Sequence, residues 1–258
     1  MKSKPSYAII LLLLLSIQVF AQKATKNINP MKNKKVLIVV TSFGEVGNGA
    51  KTGIWLEEFT TPYYLLTAKG FKVTVASPAG GKAPIDPKST IGDYATASVK
   101  RFLTDPAAQQ ILNKTLNLKT IQAKDYDAIF YPGGHGPMWD LPQNSYSISL
   151  IESFFNEGKP IAFVCHAPAA LKNVKGKDGE YLIKGKIIAG FTNSEEEAGQ
   201  STNLVPFSLE NMLKDRGAKY VKGKDWEPFA VQDGNLITGQ NPASADLVAK
   251  KIITILSK

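Results

Sequence analysis

Short runs of apolar residues recur along most of the chain, and each ends at small or turn-forming residues. The first four are KVLIVV (35–40), KVTVAS (72–77), DAIFY (127–131) and IAFVC (161–165). Uninterrupted apolar runs of this length are typical of strands that are buried on both faces of a sheet. Segments with helical spacing separate these runs, and this strand–helix–strand order predicts a parallel sheet.

Apolar positions with a helical period mark the segments between the strands. The predicted helices lie within 52–70, 105–117, 145–159 and 241–258. Gly70 ends the first of them as a helix C-cap does. The second and the fourth begin with an N-cap residue directly before a first-turn proline, at Asp105–Pro106 and Asn241–Pro242. We therefore expect a three-layer α/β/α sandwich with a mostly parallel central sheet.

Residues 82–120 do not follow this regular alternation and contain one clear helical segment. We expect them to form a cap-like insertion within a single domain that spans residues 34–258. The short segments 186–191, 218–223 and 229–240 complete the predicted pattern of strands before the last helix.

The first 21 residues have the features of a secretory signal peptide. Two lysines precede an apolar run from Ala8 to Ile17, and Val19 and Ala21 are small residues before a cleavage site. The run is shorter than the about 20 apolar residues that a membrane-spanning helix needs, and no cysteine follows it to carry a lipid. We expect cleavage near Ala21, a basic leader at 22–33, and an exported periplasmic or extracellular protein without stable membrane anchoring.

The positive charge of the chain is concentrated at its N-terminus. Residues 1–35 carry seven of the 31 lysines and arginines and none of the 22 acidic residues, so the formal charge of +9 becomes +2 for the remainder. The predicted domain has no basic stripe of the kind that indicates nucleic-acid binding. With one cysteine and two histidines in the chain, we expect no internal disulfide and no zinc site built on several histidines or cysteines.

Cys165, directly after the apolar run 161–164, is a candidate for a reactive side chain. A nucleophile at a sharp strand-to-helix turn is the arrangement of the nucleophile elbow, and the small residues that follow let a helix pack closely behind it. The positive end of that helix would lower the pKa of the thiol, and the backbone N–H of His166 would point toward an oxyanion. The alternative is a buried structural cysteine, which is the commoner role of a lone cysteine.

Three other segments are expected at the same edge of the sheet. Gly134, in the PGGHG segment, could supply a second oxyanion donor or serve only in a turn. Glu57 and Glu58 could serve only to interact favourably with the helix dipole. Alternatively, one of them could point inward, where burial would raise the pKa of its carboxyl and let it donate a proton to the sulfur. In SEEE (194–197), a carboxylate could orient His166 as the third member of a triad, or the segment could be a solvated helix start with a serine cap.

Together these segments resemble the ThiJ/PfpI superfamily, whose fold is flavodoxin-like and related to the class I glutamine amidotransferases. Within it, the sequence is similar to the larger glyoxalase III and heat-shock chaperone branch. The matching stretches are KVLIVVTS, KTGIWLEEFTTPYYLLTAKGFKVTVASPAGGKAPIDPKS, PGGHGPMWDLP, AFVCHAPAAL, GKIIAGFTNSEEE and ITGQNPASA. They span nearly all of the predicted domain.

The resemblance implies a role for each candidate residue. Cys165 matches the nucleophile, and His166 matches the histidine of the triad. Glu58 matches the helix acid, because the family spacing runs from Thr-Gly through this acid to a proline. Glu196 best matches the acid of the triad, and its neighbours Glu195 and Glu197 are the alternatives. Two further residues match the glycine loop and the pocket lining, Gly134 and His135.

The resemblance further implies a cofactor-independent lyase of the D-lactate dehydratase type, which converts methylglyoxal to lactate and acts in the stress response as a homodimer. A protein deglycase and a cysteine peptidase or amidase would use the same side chains. A glutaminase is less favoured because no synthase domain is present. A holdase chaperone or a thiol stress sensor would not need turnover at Cys165. Relatives in this branch are mostly cytosolic, so a signal peptide bears on the physiological substrate more than on the chemistry.

Overall fold

The computed structural model describes residues 33–258. The predicted signal peptide (1–21) and the basic leader up to residue 32 lie outside the described residues. The strands are β1 (Lys35–Val39), β2 (Lys72–Ser77), β3 (Leu116–Asn117), β4 (Ala128–Tyr131), β5 (Ile161–Val164), β6 (Ile187–Ile188), β7 (Lys219–Tyr220), β8 (Ala230–Asp233) and β9 (Leu236–Gly239). The helices are α1 (Leu56–Ala68), α2 (Ala97–Leu103), α3 (Pro106–Asn113), α4 (Pro137–Asp140), α5 (Ser145–Asn156), α6 (Asn193–Ala198), α7 (Leu209–Asp215) and α8 (Ala245–Leu256).

A seven-stranded central sheet has the order β3-β2-β1-β4-β5-β9-β8. All neighbouring strands in it are parallel except β8 and β9. The strands β1, β4 and β5 are almost fully buried, as their continuous apolar sequences require. The expected α/β sandwich with a mostly parallel sheet is therefore confirmed.

The helices cover both faces of this sheet. Helices α1 and α8 pack against each other, with α1 also contacting β2 and α8 contacting β5 and β9, whereas α5 packs against β4 and β5. Strands β2 and β3 lie on one side of β1 in the sheet, and β4 and β5, which come later in the chain, lie on the opposite side of β1. This change of direction creates a switch point beside the carboxyl ends of β1 and β4, where open α/β sheets bind their ligands.

The apolar segments 186–191 and 218–223 do not join the central sheet. Only two residues of each form a strand, and β6 pairs with β7 in a separate parallel sheet. The edge of β5 that they would need is occupied by β9, whose residues pair with β5 from Leu236 to Gly239. Strand β6 of this small sheet comes directly before α6, the helix that carries the glutamates at 195–197.

The cap-like segment 82–120 contains α2, α3 and short turns of 3₁₀ helix. The Asp105 side chain caps α3, since its carboxylate accepts a hydrogen bond from the Ala108 N–H at 3.1 Å. A bridge between Ile54 and Ile85 ties the segment to the chain just before α1. Its assignment as an insertion in one domain stays a prediction. Within residues 33–258, no helix has the length and apolar content required to cross a membrane.

Candidate active site

Cys165 sits on a sharp turn at the carboxyl end of β5. Its φ is 61°, a left-handed conformation that costs energy for a residue with a side chain. Two backbone hydrogen bonds hold this turn: the Cys165 N–H donates to the Gly239 carbonyl at 3.0 Å, and the Phe191 N–H donates to the Cys165 carbonyl at 2.9 Å. The fold therefore holds Cys165 in a strained backbone conformation, which places the sulfur above the end of the sheet as in a nucleophile elbow.

The expected helix behind the elbow is a short 3₁₀ helix, Ala167–Leu171, in place of an α-helix. Burial is the main cause that raises the pKa of the Cys165 thiol well above its ordinary value, and the neighbouring Glu58 carboxyl raises it further. A hydrogen bond from the Gly134 backbone opposes this rise. The prediction of a lowered thiol pKa was wrong, because a five-residue 3₁₀ segment offers a weak dipole to a sulfur that is almost fully desolvated.

His166 links the sulfur to a carboxylate. Its Nδ1 lies 3.2 Å from the Cys165 sulfur, and its Nε2 lies 2.8 Å from Oε2 of Glu196. Burial lowers the pKa of His166, and the nearby His135 lowers it as well, so the imidazole is mostly neutral at pH 7. A neutral imidazole between a thiol and a carboxylate can accept the thiol proton at one nitrogen while it donates from the other.

Glu196 is the acid that contacts this histidine. Burial alone would raise the pKa of its carboxyl, but the interaction with His166 and hydrogen bonds from His135 and Ser201 outweigh burial and hold the pKa well below its usual range. Oε1 of Glu196 lies 3.1 Å from Nε2 of His135, and the Ser201 hydroxyl donates to the same oxygen. An ionised Glu196 favours the imidazolium that forms when the thiol gives up its proton.

The two neighbouring glutamates, Glu195 and Glu197, have different surroundings. Glu195 is fully buried, and its Oε1 accepts hydrogen bonds from the Trp226 N–H, the Gln240 amide and the Asn241 amide, while Oε2 accepts the Thr192 N–H. Thr192 is the N-cap of α6, so the alternative of a helix start capped by Ser194 does not hold. Glu197 is exposed. Geometry therefore brings only the middle glutamate to the histidine.

We expect Glu195→Gln to lower the free energy of unfolding by about 1–3 kcal/mol. The amide cannot accept at both of its terminal atoms, so at least one buried donor loses its partner and faces another donor. Urea denaturation measures the change, and Glu197→Gln, at an exposed position of the same helix, is the matched control. Equal stability of the two variants would contradict the structural role of Glu195.

Glu58 reaches the sulfur from α1 and is completely buried. The Gly133 N–H donates to its Oε2 at 2.7 Å, whereas Oε1 has no hydrogen-bond partner of ordinary geometry within the described chain. Burial is the largest cause that raises the pKa of the Glu58 carboxyl well above its usual value, although contacts with Cys165 and Gly133 lower it in part. Glu58 therefore keeps its proton to higher pH than an exposed glutamate and can exchange it with a group beside Oε1. The adjacent Glu57 lines a cavity that Cys165 also lines.

The PGGHG loop passes close to the sulfur because its glycines have no side chain. A Cβ at Gly133 would lie 2.8 Å from Oε2 of Glu58 and 2.9 Å from the backbone nitrogen of His166. At Gly134, where φ is 91°, a Cβ would lie 2.3 Å from the Gly53 carbonyl oxygen. The backbone N–H of Gly134 points at the sulfur and favours its charged form, which is the place of an oxyanion donor.

A cavity of about 360 Å³ lies above the Cys165 sulfur. Gly134, His135, Cys165 and His166 line its floor. Glu196 lies behind His166. Five aromatic residues that were not predicted from the sequence form the walls of the cavity: Trp55, Tyr94, Trp139, Phe191 and Trp226. The signal available for them was the scarcity of tryptophan, since all three tryptophans of the chain line this one cavity.

His135, His166 and Glu196 are also the group in residues 33–258 that could hold a metal ion. Their ligand atoms lie within 4.8 Å of one another. The two imidazole–carboxylate hydrogen bonds already use these atoms, so the arrangement is explained without a metal.

Proteins of known family are similar to this chain in sequence and in fold. The profile of the DJ-1/PfpI family matches residues 50–255. The glutathione-independent glyoxalase HSP31 of Saccharomyces cerevisiae is 33% identical over 236 residues, which cover 88% of this chain and 99% of that protein. The crystal structure of glyoxalase III from Candida albicans has a TM-score of 0.77 and 29% identity, and the match covers 86% of this chain and 97% of the glyoxalase III chain. Rapid Encystment Protein 24 KDa from Francisella tularensis has a TM-score of 0.82 and 40% identity, with 86% and 99% covered.

Proposed function

Since the chain belongs to the DJ-1/PfpI family, we propose that it is a glutathione-independent glyoxalase that converts methylglyoxal to lactate with Cys165 as its nucleophile. The observation that carries this proposal is the position of the sulfur between two different acid–base groups. His166 lies 3.2 Å away on one side, and a buried Glu58 with a raised pKa lies on the other. Relatives that match most of the chain bear the same activity in their names.

The reaction begins when His166 takes the proton of Cys165 and the sulfur adds to the aldehyde carbon. The alkoxide oxygen that forms receives hydrogen bonds from the backbone N–H groups of Gly134 and His166. Each donor of this kind is worth about 3 kcal/mol in a transition state. Glu58, which holds a proton in the resting site, donates that proton to this oxygen, and this leaves a neutral hemithioacetal and a Glu58 carboxylate. The imidazolium is stabilised by Glu196, which is 2.8 Å from Nε2.

The second stage moves a proton from the former aldehyde carbon to the ketone carbon through an enediol. The base is the Glu58 carboxylate left by that transfer, whose Oε1 has no ordinary hydrogen bond, or it is His166 where the imidazolium, and not Glu58, has protonated the alkoxide. The product is a thioester on Cys165, which water hydrolyses to lactate and the free thiol. The aldehyde carbon is oxidised and the ketone carbon is reduced, so the sum of the steps is the addition of one water and no external oxidant is needed.

The direct test is lactate formation from methylglyoxal by the purified protein in buffer without glutathione. We expect lactate to form in the same amount as methylglyoxal disappears, since no other product leaves the cycle. Loss of methylglyoxal without lactate would contradict the proposal and would indicate adduct formation on the protein surface. A holdase role is separated from catalysis by the aggregation of a client protein, which a chaperone suppresses without any aldehyde.

We further propose that the protein is exported and that its N-terminal residues are removed after Ala21. The support is the lysine-flanked apolar run and the small residues that follow it. We expect N-terminal sequencing of protein from the periplasm or medium of the producing cell to begin at Gln22. An intact N-terminus in cytosolic protein would overturn this proposal. The homodimer implied by the resemblance stays a prediction that sedimentation analysis can check.

A further inference from the structure

The cavity above Cys165 is larger than methylglyoxal requires. Its volume of about 360 Å³ falls in the range that proteins use for ligands of drug size. Aromatic side chains build two walls that continue from the reactive floor to the mouth. The ring of Phe191 lies 4.2 Å from the ring of His166, and Trp226 packs edge-on against Phe191 at 5.6 Å. On the other wall, Trp55 packs edge-on against Tyr94 at 4.9 Å.

Trp226 is held at the mouth at an energetic cost. Its φ is 65°, a genuine outlier for a bulky side chain, and 50% of its surface stays exposed. The hydrogen bond from its backbone N–H to Oε1 of the buried Glu195, at 2.8 Å, fixes this backbone conformation. Backbone strain of this kind persists where the surrounding structure enforces it, and such positions cluster at ligand sites. The half-exposed ring gains little from burial, so its place at the cavity mouth is best explained by a ligand.

Glu57 adds a polar group that the reaction steps do not use. Its side chain lines the cavity, accepts no hydrogen bond and forms no ion pair with any part of the described chain. Burial raises the pKa of this carboxyl. A half-buried carboxyl without a partner disfavours a purely apolar occupant of the cavity, because its desolvation would not be compensated. A ligand hydroxyl that donates to Glu57 would supply that partner.

We propose that the cavity takes hydroxylated 2-oxoaldehydes of the kind that form from sugars, in preference to methylglyoxal; this rests on the proposed function. The C–H groups of the carbon chain lie against the faces of Trp226 and Tyr94, whose negative π-surfaces attract them. A hydroxyl donates to Glu57. The reaction is unchanged in its balance: the thiolate adds to the aldehyde, hydrogen moves to the ketone carbon, and water releases a 2-hydroxy acid.

The test compares kcat/KM for 3-deoxyglucosone, methylglyoxal and phenylglyoxal. We expect 3-deoxyglucosone to be preferred over the other two by about tenfold or more. Trp226→Gly keeps the backbone at its positive φ without strain, and this variant and Glu57→Met, which has a similar size but no carboxyl acceptor, should each reduce that preference by about tenfold. Tyr94→Ala should reduce it as well, whereas Tyr146→Ala should not, since Tyr146 is 51% exposed, close to the 53% of Tyr94, and lies outside the cavity.

Two outcomes would overturn the inference. Methylglyoxal used as well as 3-deoxyglucosone would mean that the walls contribute nothing, and a preference for phenylglyoxal would mean an apolar subsite. A binding experiment separates these from failure of the proposed function. All three tryptophans line the cavity, so quenching of intrinsic fluorescence in Cys165→Ala reports ligand binding without turnover. Tighter binding of 3-deoxyglucosone than of methylglyoxal supports the subsite even if no aldehyde is converted, and equal or absent binding contradicts it.

Discussion

Replacing Cys165 by alanine is expected to lower kcat/KM for methylglyoxal by about 10⁴-fold or more, the scale of loss seen when a covalent nucleophile is removed. The chain has no second cysteine, so no other thiol can form the hemithioacetal. His166 and Glu196 would keep their hydrogen bond at 2.8 Å, but they would have no nucleophile to activate. Lactate formation in glutathione-free buffer measures this loss.

The alanine variant should remain folded. A left-handed φ of 61° is unfavourable to the same degree for cysteine and for alanine, because both have a Cβ. The backbone strain of the turn is therefore equal in the two proteins. Urea denaturation of Cys165→Ala and wild type provides the check. A folded variant that forms lactate at the wild-type rate would exclude Cys165 as the nucleophile. Suppression of client aggregation that survives in this variant would assign that property to the surface and not to the elbow.

The sheet and the elbow could be predicted because their signals are local. Buried parallel strands have continuous apolar sequences, and β1, β4 and β5 lie where such runs lie. The position of Cys165 at the end of β5 follows from the small residues and the proline behind it. The resemblance to a known family supplied the residues Glu58 and Glu196, which spacing alone left open.

The rest depended on contacts that no local pattern encodes. Which glutamate of α6 meets His166 is set by the helix phase, and this phase is fixed by the Thr192 cap and by the partners that hold Glu195. The raised thiol pKa results from burial under elements that are distant in sequence. The strained position of Trp226 likewise depends on a bond to a residue 31 positions away.

Replacing Glu58 by glutamine is expected to lower kcat for methylglyoxal by about 10²–10⁴-fold, the usual contribution of a general acid or base. The amide oxygen can still accept the Gly133 N–H, which donates to Oε2 at 2.7 Å in the wild type. The amide nitrogen would then face the sulfur and could donate a hydrogen bond, but it could not carry a proton from one carbon to the other. KM should change much less than kcat. Glu197→Gln is the exposed control, and a kcat for Glu58→Gln within about twofold of that control would exclude Glu58 from proton transfer.

The same substitution should change how stability depends on pH. Burial raises the pKa of Glu58 in the folded protein, whereas the unfolded chain titrates near the ordinary value of about 4.3. Above that value the folded state holds a proton that the unfolded state has lost, so the free energy of unfolding falls as pH rises toward the folded pKa. Glutamine has no such proton, and Glu58→Gln should therefore gain stability relative to wild type between pH 5 and pH 8. Urea denaturation at both pH values measures the difference, and a difference that does not vary with pH would mean that Glu58 titrates normally and is not the protonated partner of Cys165.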